Sequence, residues 1–80
     1  MPPASRQRTS LHPKKLLLTK WTAVIPRNRE KHFLVTQVIE PAVPGAPVES
    51  VELQAVLTGR VEILPWRDLT DSSQWHQGWR

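Results

Sequence analysis

The sequence predicts a mainly β domain: a four-stranded antiparallel meander curled toward a small SH3-like barrel, with short helical turns near the N- and C-termini. Three observations carry this. The stretch from Lys31 to Trp66 alternates with the period of two that half-buried strands show. Its β-branched residues are dense, which suits a pleated surface. Gly and Pro fall between the alternating runs, where turns are needed.

Taken in order, residues 1–11 read as a disordered basic arm. Pro, Ser, Arg and Gln dominate there, and little apolar area is available to offset the entropy of ordering. Residues 12–80 form one small β-rich domain. Pro13 suits the first position of a short helix through Lys14 to Leu18, which holds only if its leucines dock. The first strand covers residues 21–25. Pro26, Asn28 and their neighbours make the turn before the second strand, residues 31–39. Pro41, Pro44, Gly45 and Pro47 exclude a regular strand and give an exposed loop.

The third strand starts at Val51 and places Val51, Leu53, Ala55 and Leu57 on one apolar face. Thr58-Gly59-Arg60 is the hairpin turn, with Gly59 free to take a positive φ. Ile63 joins Leu53 on the packed face. The fourth strand ends at Pro65, which belongs on a sheet edge or at a bulge because it cannot donate to a ladder. Asp71 followed by Gln74 has the form of a capping box, and Gly78 that of a stop, so a helix is expected over residues 72–77. With regular strands, Val24, Leu34, Val38, Val56 and Leu64 point away from the core face. The terminal leucines and Trp75 with Trp79 are expected to dock over them, or else a second copy or a partner does.

Eighty residues make one domain with a thin stability margin. Without cysteine there is no disulfide framework and no thiolate metal site, and a cytoplasmic location fits. The run Leu16-Leu17-Leu18 is too short to span a bilayer. Charge is uneven: residues 1–31 carry eight Lys and Arg against Glu30 alone, a net +7, whereas residues 32–80 carry three against six, a net −3. A basic end on a mildly acidic body points to a polyanionic partner.

The block PKKLLLTKWTAVIPRNREKHFLVTQV and the block WRDLTDSSQWHQGW together resemble a small tryptophan-rich conserved bacterial protein family of unknown function. The resemblance implies a small intracellular bacterial protein. It brings no activity, cofactor or partner, and hence no functional residue.

Catalytic chemistry finds little to build on. His12, His32 and His76 are scattered, Asp71 is better spent as a cap than paired with Asp68, and no His or Cys spacing suits a metal. No catalytic residue, metal or cofactor is expected. The four tryptophans are more informative, because aromatic rings beside basic residues, as in Lys20-Trp21, Trp66-Arg67 and Trp79-Arg80, can stack bases beside phosphate contacts. Trp21 and Trp66, which adjoin strands, are expected in the core. The expected function is therefore a non-enzymatic module that binds RNA or a ribonucleoprotein through Arg6, Arg8, Lys14, Lys15, Lys20, Arg27, Arg29 and Lys31. The alternative is an adaptor that anchors a protein partner with Trp75 and Trp79.

Overall fold

The computed structural model describes residues 12–80; the expected arm, with Arg6 and Arg8, lies outside them. Five strands form one antiparallel sheet: β1 (Lys20–Arg27), β2 (Glu30–Val38), β3 (Ser50–Ala55), β4 (Val61–Pro65) and β5 (Trp75–Gln77). Their order is β4-β3-β2-β1-β5. The first four follow one another as a meander, and β5 makes the sheet one strand wider than the four expected. The sheet does not close into a barrel, because β4 and β5 are both edges. Pro65 ends the β4 edge, where its missing N–H costs nothing. Among the described residues no helix is long and apolar enough to cross a membrane.

The N-terminal helical turn is a single 3₁₀ turn, Pro13–Lys15, started by Pro13. It delivers Leu16 into the core while Leu17 and Leu18 stay exposed. Leu18 takes a positive φ, and its N–H reaches the Val35 carbonyl at 2.7 Å, which ties the segment to β2.

The β1–β2 turn is tighter than expected. Arg27 pairs with Glu30, and Asn28 and Arg29 both have positive φ, as a type I′ hairpin turn requires. Pro26 therefore lies inside β1. It is accommodated because β1 peels away from β2 between Thr22 and Arg27, where the pairing register shifts.

The expected C-terminal helix is not formed. Asp71 does organise a turn: its Oδ1 accepts from the Ser73 N–H at 3.0 Å and from the Ser73 hydroxyl at 2.6 Å. The chain then leaves the helical path, because β1 offers an open edge. Ala23, Thr22 and Trp21 pair with Trp75, His76 and Gln77. Cross-strand hydrogen bonding outweighs the propensity of so short a helix. The 3₁₀ helix Trp66–Thr70 lies within the connection from the β4 edge to the β5 edge. That connection crosses the core face and buries Leu69 there.

The core comprises Leu16, Trp21, Phe33, Val35, Val51, Leu53, Ala55 and Leu69. Trp66 packs against it and donates its indole N–H to the Val48 carbonyl at 3.1 Å, which pins the end of the Pro-rich loop. Full burial of a Val, Leu or Phe side chain, as in this core, stabilises by roughly 1.5–3 kcal/mol.

Three phase expectations fail for local reasons. The third strand ends at Ala55, and Leu57 lies in the following turn, 68% exposed. In β4 Val51 pairs with Leu64 and Glu52 with Ile63, so Leu64 faces the core and Ile63 is 57% exposed. A shift between Val35 and Gln37 in β2 likewise turns Val38 toward the core.

Candidate functional site

The sheet has two dissimilar faces. On the core face, the divergence of β1 from β2 opens a cleft of about 580 Å³ beside the buried cluster. Phe33, Leu64 and Trp75 line its apolar side, and Glu30, Arg60 and Glu62 its polar side. Trp75 packs edge-on against Phe33, with ring centroids 5.2 Å apart.

Glu30 is 4% exposed, and its carboxylate is fully engaged. Arg60 Nη2 donates to its Oε1 at 2.6 Å, Arg60 Nε lies 3.0 Å from both oxygens, and the Thr58 hydroxyl donates to Oε2 at 2.6 Å. Arg60 also reaches Glu62 at 3.1 Å. The Arg60 hydrogen bond, followed by that from Thr58, holds the Glu30 carboxyl below its ordinary value, and the same contact raises Arg60 further. Asp71, on the exposed turn, is lowered by its two bonds from Ser73.

The opposite, outward face carries Lys20, Thr22, His32, Leu34 and His76, as their cross-strand pairing requires. Residues 78–80 lie across it. The Gly78 N–H donates to the Lys20 carbonyl at 2.7 Å, and the Thr22 hydroxyl donates to the Gly78 carbonyl at 2.7 Å. The Arg80 N–H donates to Thr22 Oγ1 at 3.0 Å, and His32 Nε2 lies 3.0 Å from the Arg80 carbonyl oxygen. The Trp79 indole N–H donates to the Phe33 carbonyl at 2.9 Å. Lys20 Nζ sits 4.8 Å from the centre of the Trp79 ring, within cation–π range, and the His32 ring is 5.8 Å away.

Trp75 and Trp79 therefore serve opposite faces, where a helix would have placed them together. Trp75 is half-buried against Phe33; Trp79 is 44% exposed. The basic candidates also divide. Lys14 and Lys15 on the 3₁₀ turn precede Lys20, at the start of β1. Arg27, Arg29 and Lys31 cluster at the other end of that strand, around the hairpin turn. Six strand residues lie between Lys20 and Arg27, roughly 20 Å of chain. All six are exposed, and among the described residues the ion pairs involve Arg60 alone. No group of side chains suited to a metal ion occurs among the described residues.

The family model described as a tryptophan-rich protein (DUF2389) matches residues 19–80. The chain belongs to this tryptophan-rich family. The match covers all five strands and three features of the outward face: Lys20, His32 and Trp79. No match is found among curated proteins or among solved structures.

Sequence reasoning missed His32 and paired Lys20 with the wrong ring. Lys20 adjoins Trp21 in the chain, but Trp21 is buried on the other face and Trp79 supplies the partner. Spacing holds no trace of this, because the contact depends on where the last strand docks. Trp66 and Arg67, by contrast, realise the local pair: the guanidinium lies 4.9 Å from the ring centre.

Proposed function

We propose that this member of the tryptophan-rich family is a non-enzymatic module that binds RNA or a ribonucleoprotein through its basic N-terminal third. The observation that carries the reading is the fate of Glu30. It is the one acidic residue among the first 31, and Arg60 and Thr58 enclose it. The cations of the same segment, Lys14, Lys15, Lys20, Arg27, Arg29 and Lys31, thus meet solvent with no exposed carboxylate of that segment to offset them. An extended single strand running along the β1–β2 hairpin meets both basic clusters, and Arg6 and Arg8 add charge from the preceding segment. A cytoplasmic setting accords with the cysteine-free sequence.

Anisotropy titration of a labelled single-stranded RNA over a range of salt concentrations tests this. Each neutralised phosphate contributes about −0.7 to the log–log slope, so four contacts give roughly −3. Replacing Lys14 and Lys15 with Glu flattens the slope and leaves the fold intact, since both are exposed. Binding that ignores salt, or no binding at low salt, sinks the reading. Recovery of a stoichiometric protein without nucleic acid supports the adaptor reading in its place.

A further inference from the structure

We infer that Trp79, with Lys20 and Arg80 beside it, is a stacking platform for an unpaired nucleobase, so that the protein selects single strands over duplexes. This rests on the proposed RNA reading and names the ligand chemistry of its outward face. The argument begins from an oddity of Trp79. A tryptophan fixed only for stability buries its ring, as Trp21 does at 2% exposure. Trp79 is instead held at its polar edge, by the indole N–H to the Phe33 carbonyl, and by the backbone bonds of its neighbours Gly78 and Arg80. Its position is set while 44% of it stays exposed.

The surroundings decide what such a ring accepts. Lys20 already lies over it at 4.8 Å, and Arg80 is adjacent in the chain. A cationic ligand is therefore repelled. The outward positions paired nearby, Lys20, Thr22, His32, Leu34 and His76, include no carboxylate. A single open ring gives a purely apolar ligand no enclosure. A flat base attached to a phosphate satisfies both elements, with the base on the indole and the phosphate near Lys20 and Arg80. Sequence-tolerant binding of single strands uses this pairing of aromatic and cation. A duplex keeps its base faces stacked internally and has none to offer.

Three probes decide it: labelled oligouridylate, an RNA hairpin duplex, and inorganic polyphosphate as a polyanion without bases. Trp79→Ala is expected to weaken oligouridylate binding roughly 5- to 150-fold, the range observed for loss of one base–aromatic stack. Polyphosphate affinity stays unchanged, and Trp79→Phe retains most of the oligouridylate affinity. Equal losses on both probes, or none, overturn the stacking site and leave the electrostatic reading standing. So does a wild-type protein that binds the duplex as well as the single strand. No binding to any probe overturns both. Should Trp79→Ala fail to fold, photo-crosslinking of the wild-type protein to bromouridine-substituted RNA decides instead. Adducts at Trp79 support the site, and adducts confined to other residues overturn it.

Discussion

The two faces of the sheet handle charge in opposite ways. On the core face three charges are closed on one another: Glu30 is bound by Arg60 and Thr58, and Arg60 is shared with Glu62. On the outward face the cations stay open, and backbone bonds from residues 78–80 supply the order. The strands alone do not create this contrast. Alternation supplies two sets of positions, and the segments that cover them decide the rest. Leu16 and Leu69 close the core face, whereas Trp79 lies across the outward face without sealing it. A face closed by leucines serves stability, and one crossed by a tethered tryptophan with free cations stays available for a ligand.

The largest effect should separate the faces by truncation. Leu53 is fully buried beneath this cover, so Leu53→Ala should cost about 2–5 kcal/mol through lost burial and the cavity left behind. Ile63→Ala, on the outward side of the neighbouring strand, should cost within about 0.5 kcal/mol. Urea denaturation midpoints measure both. Comparable losses would mean that Ile63 is covered in solution and that the faces are less distinct than the exposures indicate.

That pair also marks the limit of what the sequence disclosed. The phase of β3 was legible because Val51, Leu53 and Ala55 alternate with polar neighbours. The phase of β4 was not. Val61, Ile63 and Leu64 offer an apolar residue to either face, and the count across the turn decides between them. Val56 to Arg60 forms a five-residue connection in which the Gly59 N–H returns to the Ala55 carbonyl at 2.8 Å. A turn confined to Thr58-Gly59-Arg60 would pair Leu57 with Val61, three residues out of the observed register, and that odd shift turns Ile63 inward. β5 was illegible for a different reason. Three residues are too few to show a period, and Asp71 with Gln74 imitates a helix start. The outward site depends on that strand, since β5 brings Trp79 to Lys20 and His32. Its basic members were therefore visible in the sequence, and their assembly was not.

A second test acts on the closed charges. The folded state lowers the pKa of Glu30 below 4.5, chiefly through Arg60. A carboxyl lowered in this way adds stability that is fully present above its unfolded value and is lost as pH falls through the folded one. Glu30→Gln should therefore lower the urea midpoint at neutral pH. Its deficit relative to wild type should shrink as pH drops below about 4.5, when Glu30 takes up a proton. A deficit that persists unchanged into acid would show that shape and packing at Glu30 matter, with charge secondary. Affinity for RNA at neutral pH should hardly change, because Glu30 is enclosed on the core side.

The smallest effect is expected at the hairpin tip. Arg29 holds a φ of 65°, a conformation that costs a side chain with a Cβ about 1–2 kcal/mol. The second position of a type I′ turn favours Gly for that reason. Arg29→Gly relieves this strain but adds freedom to the unfolded chain, worth roughly 0.4–1 kcal/mol in the opposite direction. The net expectation is a gain in stability between about 0 and 1.6 kcal/mol. If Arg29 also meets a phosphate, the same change should reduce the salt slope of RNA binding by about 0.7. The two readouts then move apart, with a sturdier fold and a weaker ligand grip. That outcome would mean the turn carries a strained arginine for the sake of binding, as expected where a stability cost falls at a functional position. A loss of stability on substitution would show that the Arg29 side chain supports the hairpin. An unchanged slope would remove Arg29 from the interface.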